Sequence, residues 1–536
     1  MPHINDLPAA VLAQILSKAV ATPVKHLSEW KAKLPLLAVC RKWTELVQGL
    51  VFNQVYVELP ELPDSILSAH LLWTSNAELF ITRGCVLKAQ RLKIELSYDV
   101  TSDHLRLIAL DILKLDRVDW QRINSLTFTL DTWILSRPFE LVSPDELAAA
   151  DVARTVQYFA QNLRNIAELD LCSLASESAG EYLYSNLATL YGQKLQVLRT
   201  EGTNPLPFSC IPRKIKVLEL TLDSSAVRVL PSICGETLKV LKLDEVPRNF
   251  AWHHFRYDDL FGSPIVFCQL AVLHLTFEHE DIDLTEVEIQ DKIVSGAHCC
   301  DQLCFPALRE LIIRNCTPDC DLLYADFPLP KLETVKLSGT AKSILHCSRL
   351  KLTWVRDLAV FIYPSDSGDV ADIYKATNHL FIDISIGRTA SLIATVDWFI
   401  MDPELVRWVN LTKLEVRDVD YAAVCKAIGR LPNLRELIVY RLVFDITHSD
   451  SFIIDLSLFT SADPMLTWGE KLAMLAIHEV SRDYPVAAYI GGIHTFILHT
   501  GRLEKLSMPQ STIQLVGSFI DMYKDYHPHL ANIQLL

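Results

Sequence analysis

A short motif, L-x-x-L-x-L, recurs along most of the chain, as in INSLTFTL, IKVLELTL, LRELIIRNC and LRELIVYRL. The last apolar positions of each copy alternate with exposed ones, and this period of two predicts a β-strand with one buried face. The central apolar residues are Leu126, Leu169, Leu218, Leu241, Leu273, Leu311, Val335, Leu414, Leu437, Leu475, Leu506 and Ile533, with weaker copies at Leu198, Leu358 and Ile382.

The spacing of these copies predicts a repeat architecture. Successive copies, weak ones included, lie 20 to 43 residues apart, and several lie 23 or 24 apart. This period, with a short strand and a variable return, is the signature of leucine-rich repeats. Return segments such as 145–165 and 421–431 have helical patterns, and the largest insertions lie around 247–266, 278–304 and 443–470. Stacked repeats would bury one continuous core and place a parallel sheet on a concave face.

The first 50 residues follow a helical pattern instead. DLPAAVLAQIL, 6–16, predicts a helix in which Val11, Leu12, Ile15 and Leu16 form one apolar stripe. LPLLAVCRKWTELVQ, 34–48, predicts a second amphipathic helix, and the segment between them predicts a loop or short helix. Because so small a unit has a thin core, one apolar face is left for the rest of the chain or for another protein.

These residues carry a family resemblance. The pattern LP…VL..IL…LPLLAVCRKW resembles an F-box over residues 4–50, with an interhelical stretch several residues longer than usual. F-box modules bind the small adaptor that links them to a cullin-RING ubiquitin ligase. The resemblance implies an adaptor-binding set made of Leu7, Pro8, Val11, Ile15, Leu16, Val39, Cys40 and Trp43.

The fold class expected is therefore α/β, with an F-box-like helical module at 1–50 and an irregular leucine-rich-repeat solenoid at 126–536. Residues 51–125 would link the two and cap the solenoid, and FNQVYVEL and RLKIEL within them have strand patterns. We expect the helix-like segment 512–526 to shield the last repeat. This combination resembles the substrate receptors of SCF-type ligases, which hold an adaptor, and through it a cullin, together with a target protein. The alternative is a non-ligase scaffold whose first helices only cap the solenoid.

Exposed positions of the L-x-L strands would form the target surface, but their charges alternate and favour no target class. They include Glu219, Lys242, His274, Glu415 and His478. Arg and Tyr are enriched at binding hot spots. We therefore assign Arg314, Arg417 and Tyr440 to target binding, together with Lys336.

Composition narrows the partners and the compartment. The 536 residues are 50% hydrophobic and 21% charged, which excludes a disordered chain. A formal charge of −15 without a long basic block argues against nucleic acid. No apolar run reaches the roughly 18 residues of a membrane span, and Gln14 and Lys18 disfavour a secretion signal. We therefore expect reduced thiols for the 13 cysteines and a cytoplasmic or nuclear location, with no membrane partner.

Catalytic motifs are missing from the sequence. Phosphate-binding loops and the G-x-S-x-G and H-E-x-x-H motifs do not occur, so we expect no enzyme and no cofactor. One alternative is a zinc site, for which the candidate ligands are His298, Cys299, Cys300, Cys304, Cys316 and Cys320. The adjacent cysteine pair is awkward for one ion, and Cys316 falls where leucine-rich repeats place a buried Asn or Cys. We therefore expect no metal.

Overall fold

A computed structural model of the chain describes residues 8–20, 27–58, 74–82, 89–99, 104–106, 120–133, 153, 156–173, 178–201, 211–221, 235–246, 267–277, 305–316, 329, 331–339, 355–362, 389–395, 412–420, 431, 433–443, 471–480, 497, 502–526 and 528–536. The chain divides into two compact units, Met1–Asp244 and Glu245–Leu536. Both are built on a parallel β-sheet, so the fold is α/β with a long parallel sheet, consistent with a solenoid-like repeat. The boundaries at residues 50 and 125 stay a prediction.

Three α-helices open the first unit: α1 (Ala9–Val20), α2 (Leu27–Lys33) and α3 (Arg41–Val51). The expectation of one helix over 34–48 is wrong, because a 3-10 helix, Leu34–Ala38, precedes α3 and the backbone breaks between them. At the break Cys40 is extended, with φ −166° and ψ 168°. The hydroxyl of Thr44 donates across it to the carbonyl of Leu37 at 2.6 Å, which stabilises the turn.

The sheet of the first unit begins with antiparallel additions and continues in parallel. β2 lies antiparallel on β1, and β4 lies antiparallel on the end of β3. The remaining neighbours are parallel, in the order β1, β3, β5, β6, β7, β8, β9. The nine strands that begin in the described part of this unit are β1 (Gln54–Glu58), β2 (Thr74–Ser75), β3 (Arg91–Asp99), β4 (His104–Arg106), β5 (Ser125–Trp133), β6 (Glu168–Ser173), β7 (Val197–Glu201), β8 (Val217–Thr221) and β9 (Val240–Val246).

The described residues of the first unit contain three further helices: α4 (Ala77–Thr82), α5 (156–162) and α6 (Ser178–Tyr191). α5 confirms part of the return helix expected at 145–165. Its Phe159 meets Phe128 of β5 with ring centroids 5.8 Å apart, and Tyr184 of α6 meets the same ring at 6.3 Å. Both helices therefore pack on the face of the sheet that carries the buried leucines.

The second unit carries ten parallel strands among its described residues, and each strand pairs with the next along the chain. They are β10 (Val272–Phe277), β11 (Glu310–Cys316), β12 (Thr334–Gly339), β13 (Asp357–Ile362), β14 (Thr389–Thr395), β15 (Lys413–Asp420), β16 (Glu436–Val443), β17 (Met474–Val480), β18 (Lys505–Ser507) and β19 (Gln534–Leu535). Between β18 and β19 lies α7 (Gln510–Tyr523), which confirms the helix expected over 512–526.

The predicted repeat positions face one another across neighbouring strands. The column in the first unit begins at Leu92, in the RLKIEL segment, and continues through the predicted positions Leu126, Leu169, Leu198, Leu218 and Leu241; all six side chains are buried. In the second unit Leu273 opposes Leu311, and the column continues through Val335 and Leu358. An in-register column of this kind is what stacked repeats require.

Two repeat positions differ from the prediction. β14 occupies Thr389–Thr395, and Ala390 takes the leucine position between Leu358 and Leu414. The weak copy at Ile382 lies outside the described residues. At the other end Leu535, not Ile533, opposes Leu506, because Ile533 belongs to the turn that precedes β19.

Candidate docking surfaces

The apolar stripe of α1 divides into an inner and an outer half. Leu12 and Leu16 are 0% and 2% exposed, whereas Val11 and Ile15 are each 42% exposed. Members of each pair lie one helical turn apart, so each pair shares one side of the helix. α1 therefore uses half of its apolar surface for packing against α3 and leaves the other half uncovered.

One residue of the expected adaptor-binding set is not on the surface. Leu16 was expected beside Ile15 on the docking face, but it is buried because the side of α1 that carries it packs into the module. Val47 of α3 is likewise buried. Leu16 therefore supports α1 from behind, and a partner would meet Val11 and Ile15 instead.

The other members of the set differ in their exposure. Pro8 is exposed, and its carbonyl accepts the first helical hydrogen bond of α1, from the N–H of Leu12 at 3.0 Å. Val39, at the break before α3, is 51% exposed, whereas Cys40 and Trp43 are half-buried. Leu7 lies outside the described residues. We call Pro8, Val11, Ile15 and Val39 the opening apolar set.

The inner side of the opening helices is tied to the beginning of the sheet. Trp30 of α2 is buried and donates its indole N–H to the carbonyl of Val51 at 2.6 Å. Its ring meets Phe52 edge to face at 5.9 Å, and Phe52 meets Phe80 of α4 at 5.1 Å. This aromatic chain links α2, the end of α3 and the helix beside β1.

The predicted target residues do not form one cluster among the described residues. Arg314 of β11 is exposed, and Lys336 of β12 pairs with Glu310 at 3.2 Å. Arg417 lies in β15, but its side chain lies outside the description. Tyr440 of β16 is exposed and sits in a cluster of its own.

That cluster joins three neighbouring strands. Tyr440 stacks on His478 of β17, with ring centroids 5.3 Å apart and planes at 22°. Its hydroxyl donates to Glu415 of β15 at 3.4 Å, and Lys413 lies 2.8 Å from the same carboxylate. Partial burial, reinforced by Glu415, raises the pKa of Tyr440, and the hydrogen bond to Glu415 raises the pKa of Lys413. The sequence pattern missed Lys413, although its spacing of two from Glu415 places both side chains on one face.

A second charged row crosses the sheet of the first unit. Glu219 of β8 lies 3.3 Å from Arg199 of β7 and 2.9 Å from Lys242 of β9. Two cations therefore flank one carboxylate across three strands, in agreement with the alternating charges of the sequence.

The described residues contain neither a metal-binding cluster nor a membrane-spanning helix. Within the described ranges, no three or more His, Cys, Asp or Glu side chains are placed to hold a metal ion. The cysteine-rich stretch 298–304 and Cys320 lie outside those ranges. None of the described helices combines the length and the apolar character needed to cross a bilayer.

Comparison with known proteins finds a structural similarity at low sequence identity. No protein-family model matches the chain, and no curated protein matches it. Among solved structures the chain is similar to one described as the crystal structure of the Rad7 and Elc1 complex in yeast, at 14% identity. The match covers 91% of this chain and 94% of that one, with a TM-score of 0.31.

Proposed function

We propose that the chain is the substrate-recognition subunit of a cullin-RING ubiquitin ligase of the SCF type. In this proposal the opening helices form an F-box that docks the adaptor, and the later strands are leucine-rich repeats that bind a target protein. The chain performs no chemistry and needs no cofactor. It raises the concentration of its target near a partner that carries ubiquitin, in the cytoplasm or the nucleus.

One observation carries the proposal. Val11, Ile15 and Val39 are large apolar side chains that remain 42%, 42% and 51% exposed in a module that buries Leu12, Leu16 and Val47. Removing such side chains from water is favourable by roughly 25 cal/mol per Å² of apolar surface. A partner that covers them gains this free energy, and the residues match the positions that the F-box resemblance assigns to the adaptor.

The target side of the proposal rests on the outward residues of β15–β17. Tyr440 combines exposure with a fixed orientation, because His478 supports its ring and Glu415 holds its hydroxyl. A tyrosine that is ordered before binding loses little conformational entropy on contact. Arg314 and Lys336, on β11 and β12, offer further polar contacts in the second unit.

A quantitative binding assay tests the adaptor-docking step. The purified full chain is titrated with a purified SCF-type adaptor, and binding is measured by biolayer interferometry. We expect Val11→Asp combined with Ile15→Asp to weaken binding by at least about tenfold, because two charges enter an apolar contact. Ala10→Asp is the matched control, since Ala10 is an exposed residue of the same helix and lies outside the apolar stripe.

Two outcomes would refute adaptor docking. One is an unchanged affinity of the Val11→Asp, Ile15→Asp variant. The other is the failure of the unmodified chain to bind any SCF-type adaptor while circular dichroism shows it folded. If Ala10→Asp weakens binding equally, the loss reflects unfolding of α1. The single variant Ile15→Ser, which replaces a part-exposed side chain, is then tested instead, and an unchanged affinity of this variant would refute adaptor docking.

A capping role for the same helices is the second candidate. The aromatic chain Trp30–Phe52–Phe80 favours it, because this contact ties α2 to the part of the first unit where the sheet begins. Capping uses the inner side of the helices, whereas docking uses the outer side. If capping is essential, deletion of residues 1–50 removes Trp30 from the ring of Phe52 and causes aggregation. A soluble truncated chain that melts cooperatively would count against it.

A further inference from the structure

The turns that lead into β7, β8 and β9 carry an excess of basic side chains. Glu236 is the one acidic residue in the described parts of these turns, which are 191–196, 211–216 and 235–239. The chain as a whole has a formal charge of −15, so these turns reverse the sign of the protein locally. The exposed cations, which we call the basic edge, are Lys194, Arg213, Lys214, Lys216 and Lys239.

Backbone hydrogen bonds hold these turns side by side. The N–H of Lys239 donates to the carbonyl of Lys216 at 2.8 Å, and the N–H of Lys216 donates to the carbonyl of Gln196 at 2.8 Å. Lys194 and Lys214 each lie two residues before a member of this row, so they hold equivalent positions in neighbouring turns. Because neighbouring strands lie about 4.8 Å apart, the basic edge extends over about 10 Å along one end of the three strands.

Two lysines of the basic edge are held in place by neutral groups. Lys194 donates from Nζ to the carbonyl of Arg164 at 3.0 Å and to the side-chain oxygen of Asn165 at 3.2 Å. Lys216 donates from Nζ to the side-chain oxygen of Gln196 at 2.9 Å. Neutral acceptors leave the positive charges uncompensated, and an ammonium group has three donors, so each of these lysines keeps an N–H for a ligand.

Acidic residues that could neutralise the basic edge are scarce around it. The sequence contains no Asp or Glu between Glu201 and Glu219. Glu219 is already engaged, because Arg199 and Lys242 lie 3.3 and 2.9 Å from its carboxylate. The positive excess is a local feature, since described turns of the second unit mix the two signs among their exposed residues, as in Lys331 with Glu333, Arg356 with Asp357, and Arg502 with Glu504.

Two observations favour a short protein segment over a nucleic acid as the partner. At the described positions between Leu79 and Tyr440 no large apolar side chain is exposed, so the basic edge offers no aromatic ring on which a base could stack. Charge interactions fade over about 8 Å at physiological salt. A short acidic segment therefore experiences the basic edge alone, whereas a long polyanion extends over the rest of a surface whose net charge is negative.

We propose that the basic edge binds an extended, Asp- or Glu-rich segment of another protein. An extended chain advances about 3.3 Å per residue, so about four residues span the edge. Their carboxylates pair with the lysine ammonium groups, and the guanidinium of Arg213 can donate two hydrogen bonds to one carboxylate. The basic edge lies in the turns before β7–β9, apart from the opening apolar set and Tyr440, so the proposal rests neither on adaptor docking nor on the assigned target residues.

Labelled peptides test the proposal with the full-length chain. The first probe carries about six consecutive Glu residues, somewhat more than the edge can span, and the second probe has Gln in place of each Glu. Fluorescence anisotropy at low salt should show the Glu peptide binding at least about tenfold more tightly than the Gln peptide. Lys214→Glu with Lys216→Glu should weaken binding of the Glu peptide about tenfold or more, because like charges then face each other.

A matched variant shows whether the binding belongs to the basic edge. Lys331→Glu with Lys471→Glu replaces two exposed lysines of turns in the second unit and changes the net charge equally, and it should leave the affinity for the Glu peptide unchanged. If Lys214→Glu with Lys216→Glu lowers the urea midpoint, Lys214→Gln with Lys239→Gln replaces it. This milder variant should weaken binding by at least about threefold, since it removes two charges without adding repulsion.

Three results would overturn the proposal. The first is equal binding of the Glu and Gln peptides. The second is an affinity that a folded variant of the basic edge leaves unchanged, or that the second-unit control lowers equally. The third is a single-stranded oligonucleotide of about twelve nucleotides that binds more tightly than the Glu peptide and loses affinity in the Lys214→Glu, Lys216→Glu variant. That result would assign the edge to a nucleic acid.

Discussion

Val11 and Leu12 are adjacent in α1, yet Val11 is 42% exposed and Leu12 is fully buried. A step of one residue turns an α-helix by about 100°, which is enough to carry a side chain from the core to the surface. Both residues are apolar, so the exposure of Val11 cannot be attributed to its chemistry. It reflects a limit on how much apolar surface the three opening helices bury on their own.

This relationship predicts unequal effects of truncation on stability. Leu12→Ala should lower the free energy of unfolding by about 2–5 kcal/mol, because it leaves a cavity in a packed site. Val11→Ala should change it by no more than about 0.5 kcal/mol. Urea denaturation followed by circular dichroism measures both. Similar losses for the two variants would show that Val11 is part of the core.

The hydrogen bond of Trp30 predicts a graded loss of stability. The carbonyl of Val51 ends α3 and has no partner within the helix, and the indole of Trp30 supplies one. Trp30→Phe should lower the free energy of unfolding by about 1–3 kcal/mol, since the carbonyl is then left without its donor. Trp30→Ala should cost more, about 3–5 kcal/mol, because the ring contact with Phe52 is also lost. Equal losses in the two variants would show that the ring contact with Phe52 does not contribute to the free energy of unfolding.

The backbone of Asn315, at the end of β11, predicts an order of stability for Asn, Gly and Ala at this position. Its backbone is in the left-handed region, with φ 54°, and its side-chain amide donates to the carbonyl of Phe277 at 3.1 Å. Asn315→Gly loses this hydrogen bond and gains conformational freedom in the unfolded chain, whereas Asn315→Ala loses the bond and also meets backbone strain. We expect the alanine variant to lose about 1–3 kcal/mol and the glycine variant less. An alanine variant at least as stable as the glycine variant would contradict this.

Tyr191 predicts a loss of stability at alkaline pH. Burial raises the pKa of Tyr191 above its ordinary value of 10.0, and its hydroxyl has no hydrogen-bond partner within the described part of the chain. Above about pH 10 the unfolded chain releases this proton while the folded chain retains it, so the free energy of unfolding falls as the pH rises. Tyr191→Phe should remove that part of the fall and change stability at pH 7 by no more than about 1 kcal/mol. Parallel pH profiles of the two proteins between pH 8 and 11 would refute the assignment.

The sheet could be predicted from the sequence because its signal is local. An alternation with a period of two is visible within six residues, and Leu126, Leu169 and Leu218 therefore predicted their strands correctly. β14 was missed because Ala390 replaces the large apolar residue that marks the repeat. The sequence TASLIAT is recognisable as a strand only from its pairing with the strands that carry Leu358 and Leu414.

The opening helices show what a local pattern cannot supply. Val11 and Ile15 look the same as Leu12 and Leu16 in the sequence, and only packing against α3 separates them. The contact of Trp30 with Val51 joins residues 21 positions apart, and no periodicity marks it. The break at Cys40 likewise depends on the hydroxyl of Thr44, which reaches back seven residues to Leu37.

Hydrogen exchange of the full chain, with and without a saturating SCF-type adaptor, tests the central claim most directly. If the opening apolar set is the docking surface, amides in peptides covering 8–20 and 39–51 exchange more slowly in the complex, while those of β15–β17 keep their rates. The same peptides of the Val11→Asp, Ile15→Asp variant should show no slowing. Unchanged exchange at 8–20 and 39–51 in a complex that forms would contradict the account.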